Sequence, residues 1–209
     1  MKPQNPSDFP HRENSNDPAR ASARAYGLPG HLPRLRKKVY RGEQLVHWTL
    51  TLRDRPTGWL DARFHHRFRE FTLHAAARFP LYCAIYCLMP DHMHLIWGGL
   101  GEECDQLQAM RHFRRWLNLA LKPHRLQPQA HDHVLREWEK DDAAFEEALD
   151  YIWKNPVRAG LVEKAEDWLY CGTIVPGYPL LHPRMRGWRA DLDKIVTLLR
   201  RAAREREGS

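Results

Sequence analysis

The stretch that most restricts the fold is Met89-Pro90-Asp91-His92-Met93-His94-Leu95-Ile96-Trp97. It follows an apolar run, Leu81 to Leu88, and opens on a turn signal at Pro90-Asp91. Beyond the turn the residues alternate, with Met93, Leu95 and Trp97 on one face of a strand and His92, His94 and Ile96 on the other. The first set satisfies a core and leaves two imidazoles side by side on the opposite face. Neutral histidines at i and i+2 of a strand point the same way and can chelate one divalent cation. In a chain with 13 histidines a His-x-His pair also arises by chance, so this pair needs a second half.

The elements around it follow from periodicity. Leu45 to Leu52 alternates Val46, Trp48, Leu50 and Leu52 against His47, Thr49 and Thr51, which predicts a strand. Asp61 is a candidate N-cap for a helix to Arg78 carrying Phe64, Phe68, Phe71 and Ala75 at helical spacing. Leu81 to Leu88, apolar throughout, reads as a central strand. A second helix is expected from Glu103 to Lys122, and a short fourth strand over His133 to Glu137, with His131 in the loop before it. A third helix, Ala143 to Lys154, is capped by Asp141 or Asp142 and stopped by Pro156. This order predicts an α+β, ferredoxin-like βαββαβ fold: an antiparallel sheet with helices on one face plus an additional helix.

A length of 209 residues fits one domain with tails, divided as an arm over 1–38, a core domain over 39–175 and a C-terminal segment with a helix over 176–209. The arm is Pro-rich and basic, and is expected to be extended and partly disordered. No apolar run approaches membrane-spanning length and no secretory signal is visible, so a cytoplasmic location and no membrane partner are expected. Cys83, Cys87, Cys104 and Cys171 show no metal or disulfide spacing, and reduced, packed thiols are expected. The net charge is +7, yet residues 1–40 carry +5 and residues 182–209 carry +4, leaving −2 for the segment between. Tails of that sign can grip a polyanion without shaping the core. Within the core, Arg111, Arg114 and Arg115 beside Trp116 can hold backbone phosphates and stack a base, though a solvated helix face reads the same way.

The second half of the site lies in the third helix. Phe145, Ala148, Leu149 and Ile152 form its apolar stripe, and Tyr151 falls roughly 120° away, on the flank. Asn155 is four residues on and stacks on the same side. A phenol and an amide oxygen one turn apart can address one point in space. If that point is a cation held by His92 and His94, Asn155 supplies a third ligand, and Mg²⁺ or Mn²⁺ suits the donor set.

These two stretches resemble a known family. Met89 to Trp97 is similar to the His-hydrophobe-His motif of the single-tyrosine HUH transposases. Asp150-Tyr-Ile-Trp-Lys-Asn-Pro-Val-Arg-Ala-Gly-Leu-Val162 is similar to their tyrosine-helix motif in the form carried by REP-associated tyrosine transposases. Asp132-His-Val-Leu-Arg136 and Asp167-Trp-Leu-Tyr170 resemble two weaker signatures. The resemblance implies a metal-dependent single-stranded DNA endonuclease and strand transferase. Tyr151 would be the nucleophile, His92, His94 and Asn155 the metal ligands, and His133 would lie near the site. A phenol, with a reference pKa of about 10, needs a nearby cation or base before it attacks at neutral pH. By the same resemblance, attack leaves a 5′-phosphotyrosine and a free 3′-hydroxyl at a hairpin-forming repeat, needs no nucleotide cofactor, and is carried out by a monomer. Arg34, Arg36, Lys37, Lys38, Arg111, Arg114, Arg115 and Arg158 are the DNA-binding candidates, with the C-terminal segment from Trp188 to Arg206 as a further grip.

Three alternatives stay open on the sequence. A histidine-triad nucleotide hydrolase needs a third histidine where Ile96 stands. A zinc hydrolase would use His92, His94 and His133, with Tyr151 structural. A transposase-derived protein can also persist as a non-catalytic binder of hairpin DNA.

Overall fold

The computed structural model describes residues 36–134 and 142–207. Its strands are β1 (Leu45–Thr51), β2 (Leu81–Leu88), β3 (His92–Gly99), β4 (His131–Val134) and β5 (Cys171–Ile174). Its helices are α1 (Ala62–Arg78), α2 (Gln106–Ala120), α3 (Asp142–Trp153), α4 (Asn155–Arg158) and α5 (Trp188–Glu207). The strands form one antiparallel sheet in the order β4-β1-β3-β2-β5, so the expected βαββαβ unit is present, extended at the β2 edge by β5.

Local signals explain the elements. The Asp61 carboxylate accepts from Phe64 N at 2.6 Å and starts α1. Phe64, Phe68 and Ala75 of its stripe are buried. Asp105 caps α2 in the same way, accepting from Gln108 N at 3.0 Å, so that helix begins at Gln106 rather than Glu103 and ends at Ala120 rather than Lys122. Pro156 does not simply stop a helix. It falls in the first turn of α4, where its missing N–H costs nothing.

Two further expectations are corrected. The fourth strand begins at His131, not His133, and His131 is a half-buried strand residue paired opposite Thr49, not a loop residue; residues 135–137 of the expected strand lie outside the described ones. The tail after Gly172 carries no readable motif in sequence, yet Cys171–Ile174 forms β5, paired with β2 from Cys83 to Cys87. The N-terminal arm lies almost wholly outside the described residues.

The two faces of the sheet carry different layers. On one face, Trp97 meets Phe113 edge-on at 5.4 Å, Phe113 meets Phe68 at 5.6 Å and Phe68 meets Tyr86 at 5.0 Å, so α1 and α2 close an aromatic core. On the face that carries His92 and His94, α3 lies across β2 and β3. The Arg189 guanidinium of α5 engages both Glu146 and Asp150 of α3, and Arg200 donates to Gly99 O at 3.1 Å. With layers on both sides, every residue of β2 is buried. The four cysteines are buried and unpaired. No helix among the described residues is long and apolar enough to cross a membrane.

Candidate active site

The site is built by strand register. Because β1 and β3 are antiparallel, Thr49 stands opposite His94 and Thr51 opposite His92, while on the other side Cys87 of β2 stands opposite His94. Two residues along, His47 faces Ile96 across β1–β3 and His133 across β1–β4. The polar face of β1 therefore lies directly beside the two β3 histidines.

Their ring nitrogens divide into an outer and an inner set. His92 Nδ1 lies 2.6 Å from Asp91 Oδ1, and Asp91 is held in turn by Arg55 Nη1 at 2.8 Å. His94 Nδ1 lies 3.1 Å from His47 Nε2 and 3.3 Å from Thr49 Oγ1. The remaining Nε2 atoms of His92 and His94 face each other at 3.0 Å. This is how metal-binding histidines are oriented: the outer nitrogen is fixed by a carboxylate or another polar partner, and the inner one is aimed at the ion. Burial pushes the His94 imidazole well below its ordinary value, with the neighbouring His92 and His47 imidazoles acting in the same direction, so its lone pair is kept for a ligand. Burial alone would raise Asp91, but the hydrogen bond and charge of His92, together with Arg55, hold it at about 2.

Tyr151 of α3 reaches this pair. Its ring meets the His94 ring nearly perpendicular, at 85° and 6.2 Å between centroids. The Arg158 guanidinium from α4 sits 4.4 Å above the Tyr151 ring centroid. On its other side Tyr151 borders an open cleft of about 380 Å³ lined also by Glu146, Glu147, Asp150, Lys154, Arg158 and Arg189. Asn155 opens α4, and its buried side-chain nitrogen has no hydrogen-bond partner among the described residues. A buried orphan amide of this kind is unusual unless a bound group completes it. Its nitrogen can donate to a phosphate oxygen, or the amide turned over can present its oxygen to a cation.

The donor set fits a divalent cation on these grounds: two converging imidazole nitrogens, one of them held neutral, and an unsatisfied amide one turn from the phenol. Among the described residues no three His, Cys, Asp or Glu side chains gather into a metal cluster, and the Asn155 amide is the further donor that the described residues offer on the tyrosine side. The His133 side chain lies outside the described residues, as does Arg34. Arg36, Lys37 and Lys38 are exposed on the 3-10 turn Lys37–Tyr40 that leads to β1. Arg111, Arg114 and Arg115 belong to α2, across the sheet from the histidines. There Arg114 donates to the carbonyls of Gln127 and Pro128, bracing the loop after its helix. Of the basic candidates among the described residues, Arg158 is the one seen against the tyrosine ring. Sequence reasoning missed His47, Thr49 and Asp91 as supports of the imidazoles. Their types are visible on β1 and in the turn, but only the strand register shows what they face.

No family model matches the chain. A REP-associated tyrosine transposase of Haemophilus influenzae is 30% identical over 147 residues, covering 60% of this chain and 77% of that protein. The REP-associated tyrosine transposase of Escherichia coli K12 is 26% identical over 122 residues, covering 58% and 71%. A solved structure of a REP-associated tyrosine transposase bound to a REP hairpin superimposes with a TM-score of 0.57 at 23% identity, covering 68% of this chain and 82% of that one. At that identity the structural likeness speaks for the fold.

Proposed function

The chain belongs to the REP-associated tyrosine transposases, and from that membership we propose that it cleaves and rejoins single-stranded DNA at hairpin-forming repeats, with Tyr151 as the nucleophile. The observation that carries this reading is the facing of the His92 and His94 Nε2 atoms on β3 together with the edge-on approach of the Tyr151 ring of α3 to the His94 ring.

In the proposed step the Tyr151 oxygen attacks the scissile phosphorus. An O–P bond forms to the phenol, the P–O3′ bond breaks, and the proton lost by the phenol is balanced by the one gained at the 3′ oxygen. The 5′ end is left as a phosphotyrosine that the same or another 3′-hydroxyl can attack in reverse, so no nucleotide cofactor is needed. A divalent cation, Mg²⁺ or Mn²⁺, held by His92 and His94 with Asn155 as third ligand, would polarise the phosphate and stabilise charge on its non-bridging oxygens. The chain's own residues hold the geometry. Asp91 and Arg55 fix the His92 ring, His47 and Thr49 fix His94, and Arg158 fixes the Tyr151 ring while putting positive charge beside the path of the phosphate. The Arg189 contacts to Glu146 and Asp150 neutralise carboxylates that would otherwise repel the strand at the cleft.

The test is direct. A labelled hairpin oligonucleotide with a single-stranded flank, incubated with the protein and Mg²⁺ or Mn²⁺, is expected to give a covalent protein–DNA band that disappears in Tyr151→Phe. Cleavage without that band would point to a hydrolase, and a mobility shift without cleavage to a DNA-binding protein.

A further inference from the structure

A second polar constellation lies on the other face of the sheet, one residue along from the histidine row. Cys87 stands opposite His94, and its neighbour Tyr86 points to the α1 side, opposite Leu95 on β3 and Gly172 on β5. Gly172 is what lets the Tyr86 ring lie across the β5 edge, since a Cβ at that position would sit 2.5 Å from the Tyr86 oxygen. The buried hydroxyl is met there by two groups of α1, His65 Nε2 at 2.9 Å and Arg69 Nη1 at 2.8 Å. From the chain after β5 come His182, whose Nε2 lies 3.2 Å from Cys171 O, and Arg184, which donates to Trp168 O at 3.1 Å.

These four basic groups share one neighbourhood. Burial pushes His65 down to about 4, and Arg69, His182 and Arg184 each add to that by repulsion; His182 is lowered by burial and by Arg184 and Arg69. Neither Arg69 nor Arg184 has a carboxylate partner among the described residues, and the nearby Asp61 is occupied as the cap of α1. Two arginines and two imidazoles, gathered from separate elements with no acid between them, lack a negative charge. Arginine presents a planar fork that matches phosphate, and imidazoles can donate to the remaining oxygens.

We propose that His65, Arg69, His182 and Arg184 form a phosphate site that takes a backbone phosphodiester of the single-stranded flank as it passes from the tyrosine side around the β5 edge. Tyr86 is its brace: the hydroxyl holds His65 and Arg69 in place and does not touch the strand. The turn that Arg184 grips is tied to the end of β2, with Trp168 Nε1 donating to Leu88 O at 2.9 Å and Leu88 N donating to Tyr170 O at 2.9 Å. It therefore lies beside the Pro90-Asp91 turn that leads into His92. This inference rests on the nuclease reading for its ligand but is tested through binding alone.

Fluorescence anisotropy with the full chain would compare a flanked hairpin with a blunt one across a salt series. Arg69→Gln combined with Arg184→Gln is expected to bind the flanked hairpin about tenfold more weakly and to lower the salt slope by about 1 per arginine, with little change on the blunt hairpin. Arg184→Gln alone, an exposed position, is expected to give part of the loss without risk to folding. Arg78→Gln, the same charge loss at the far end of α1, serves as the control. Variants that bind like Arg78→Gln, or that lose equally on both substrates, overturn the site. Inorganic phosphate titrated against the His65 and His182 ring signals separates the other source of the same chemistry: saturation at micromolar phosphate would assign a free anion and overturn the strand assignment. A wild-type chain that binds neither substrate overturns the nuclease reading as well, so the two failures are distinguishable.

Discussion

The two faces of the sheet bury comparable side chains to different ends. On the α1–α2 face, Trp97, Phe113, Phe68 and Tyr86 interlock edge to face, and their contribution is packing. On the α3 face the same strands bury His94 at 5% exposure, a group whose desolvation opposes charge and brings no comparable packing. A fold tolerates such a burial where the polar atoms are partnered, and here Asp91, His47 and Thr49 partner the outer nitrogens. One face keeps the sheet together and the other spends part of that stability on holding two imidazoles still.

The charge differs in the same way. Helices α1 and α2 carry Arg63, Arg67, Arg69, Arg78, Arg111, Arg114 and Arg115 against Glu70 alone, whereas the cleft beside Tyr151 sets Glu146, Glu147 and Asp150 against Lys154, Arg158 and Arg189. The basic layer and the charge-balanced cleft lie on opposite sides of one sheet.

If the faces are separable, substitutions should divide cleanly between chemistry and stability. The largest contrast is expected from Tyr151→Phe, which should abolish the covalent band while leaving the thermal midpoint near that of the wild type. Phe113→Ala should do the reverse, costing about 3–5 kcal/mol in urea unfolding while whatever remains folded still forms the band. Loss of both properties in both variants would show that the faces are not independent. Asp91→Asn should keep the fold but loosen the His92 ring, lowering metal affinity by about 10–100-fold in a Mn²⁺ titration; unchanged affinity would remove Asp91 from the site's support.

The smallest effect is on pH dependence. His65 is lowered from 6.5 to about 4, chiefly by burial. Above pH 6.5 neither the folded nor the unfolded state holds the proton, so the group costs nothing. As pH falls from 6.5 towards 4 the unfolded chain binds a proton that the folded one refuses, and stability should decline by on the order of 1 kcal/mol per pH unit. His65→Gln should flatten that decline between pH 7 and 5 in urea midpoints. An unaltered slope would move the acid sensitivity to the His94 face.

Much of this was legible from residues alone, and the gaps have physical causes. The alternation from His92 to Trp97 and the Asp61 cap are local signals, and they fixed β3 and α1 without help from the rest of the chain. The Cys171–Ile174 strand is too short to carry a period, and it exists because β2 offers an unpaired edge. His47 and Thr49 look like the polar face of any strand until the register sets them against His94. The segment sum of −2 blurs the basic layer: the Arg111–Arg115 cluster is visible in sequence, but only the sheet shows that it shares a face with the arginines of α1.

Arg189 gives the final twenty-residue helix a part that no motif announces. By bridging Glu146 and Asp150 it couples the reach of the tyrosine to a segment distant in sequence. Trimming the chain ahead of Trp188 would then strip a counterion from the mouth of the cleft beside Tyr151, and on the proposed reading a truncated protein would look intact by circular dichroism while admitting a polyanion poorly.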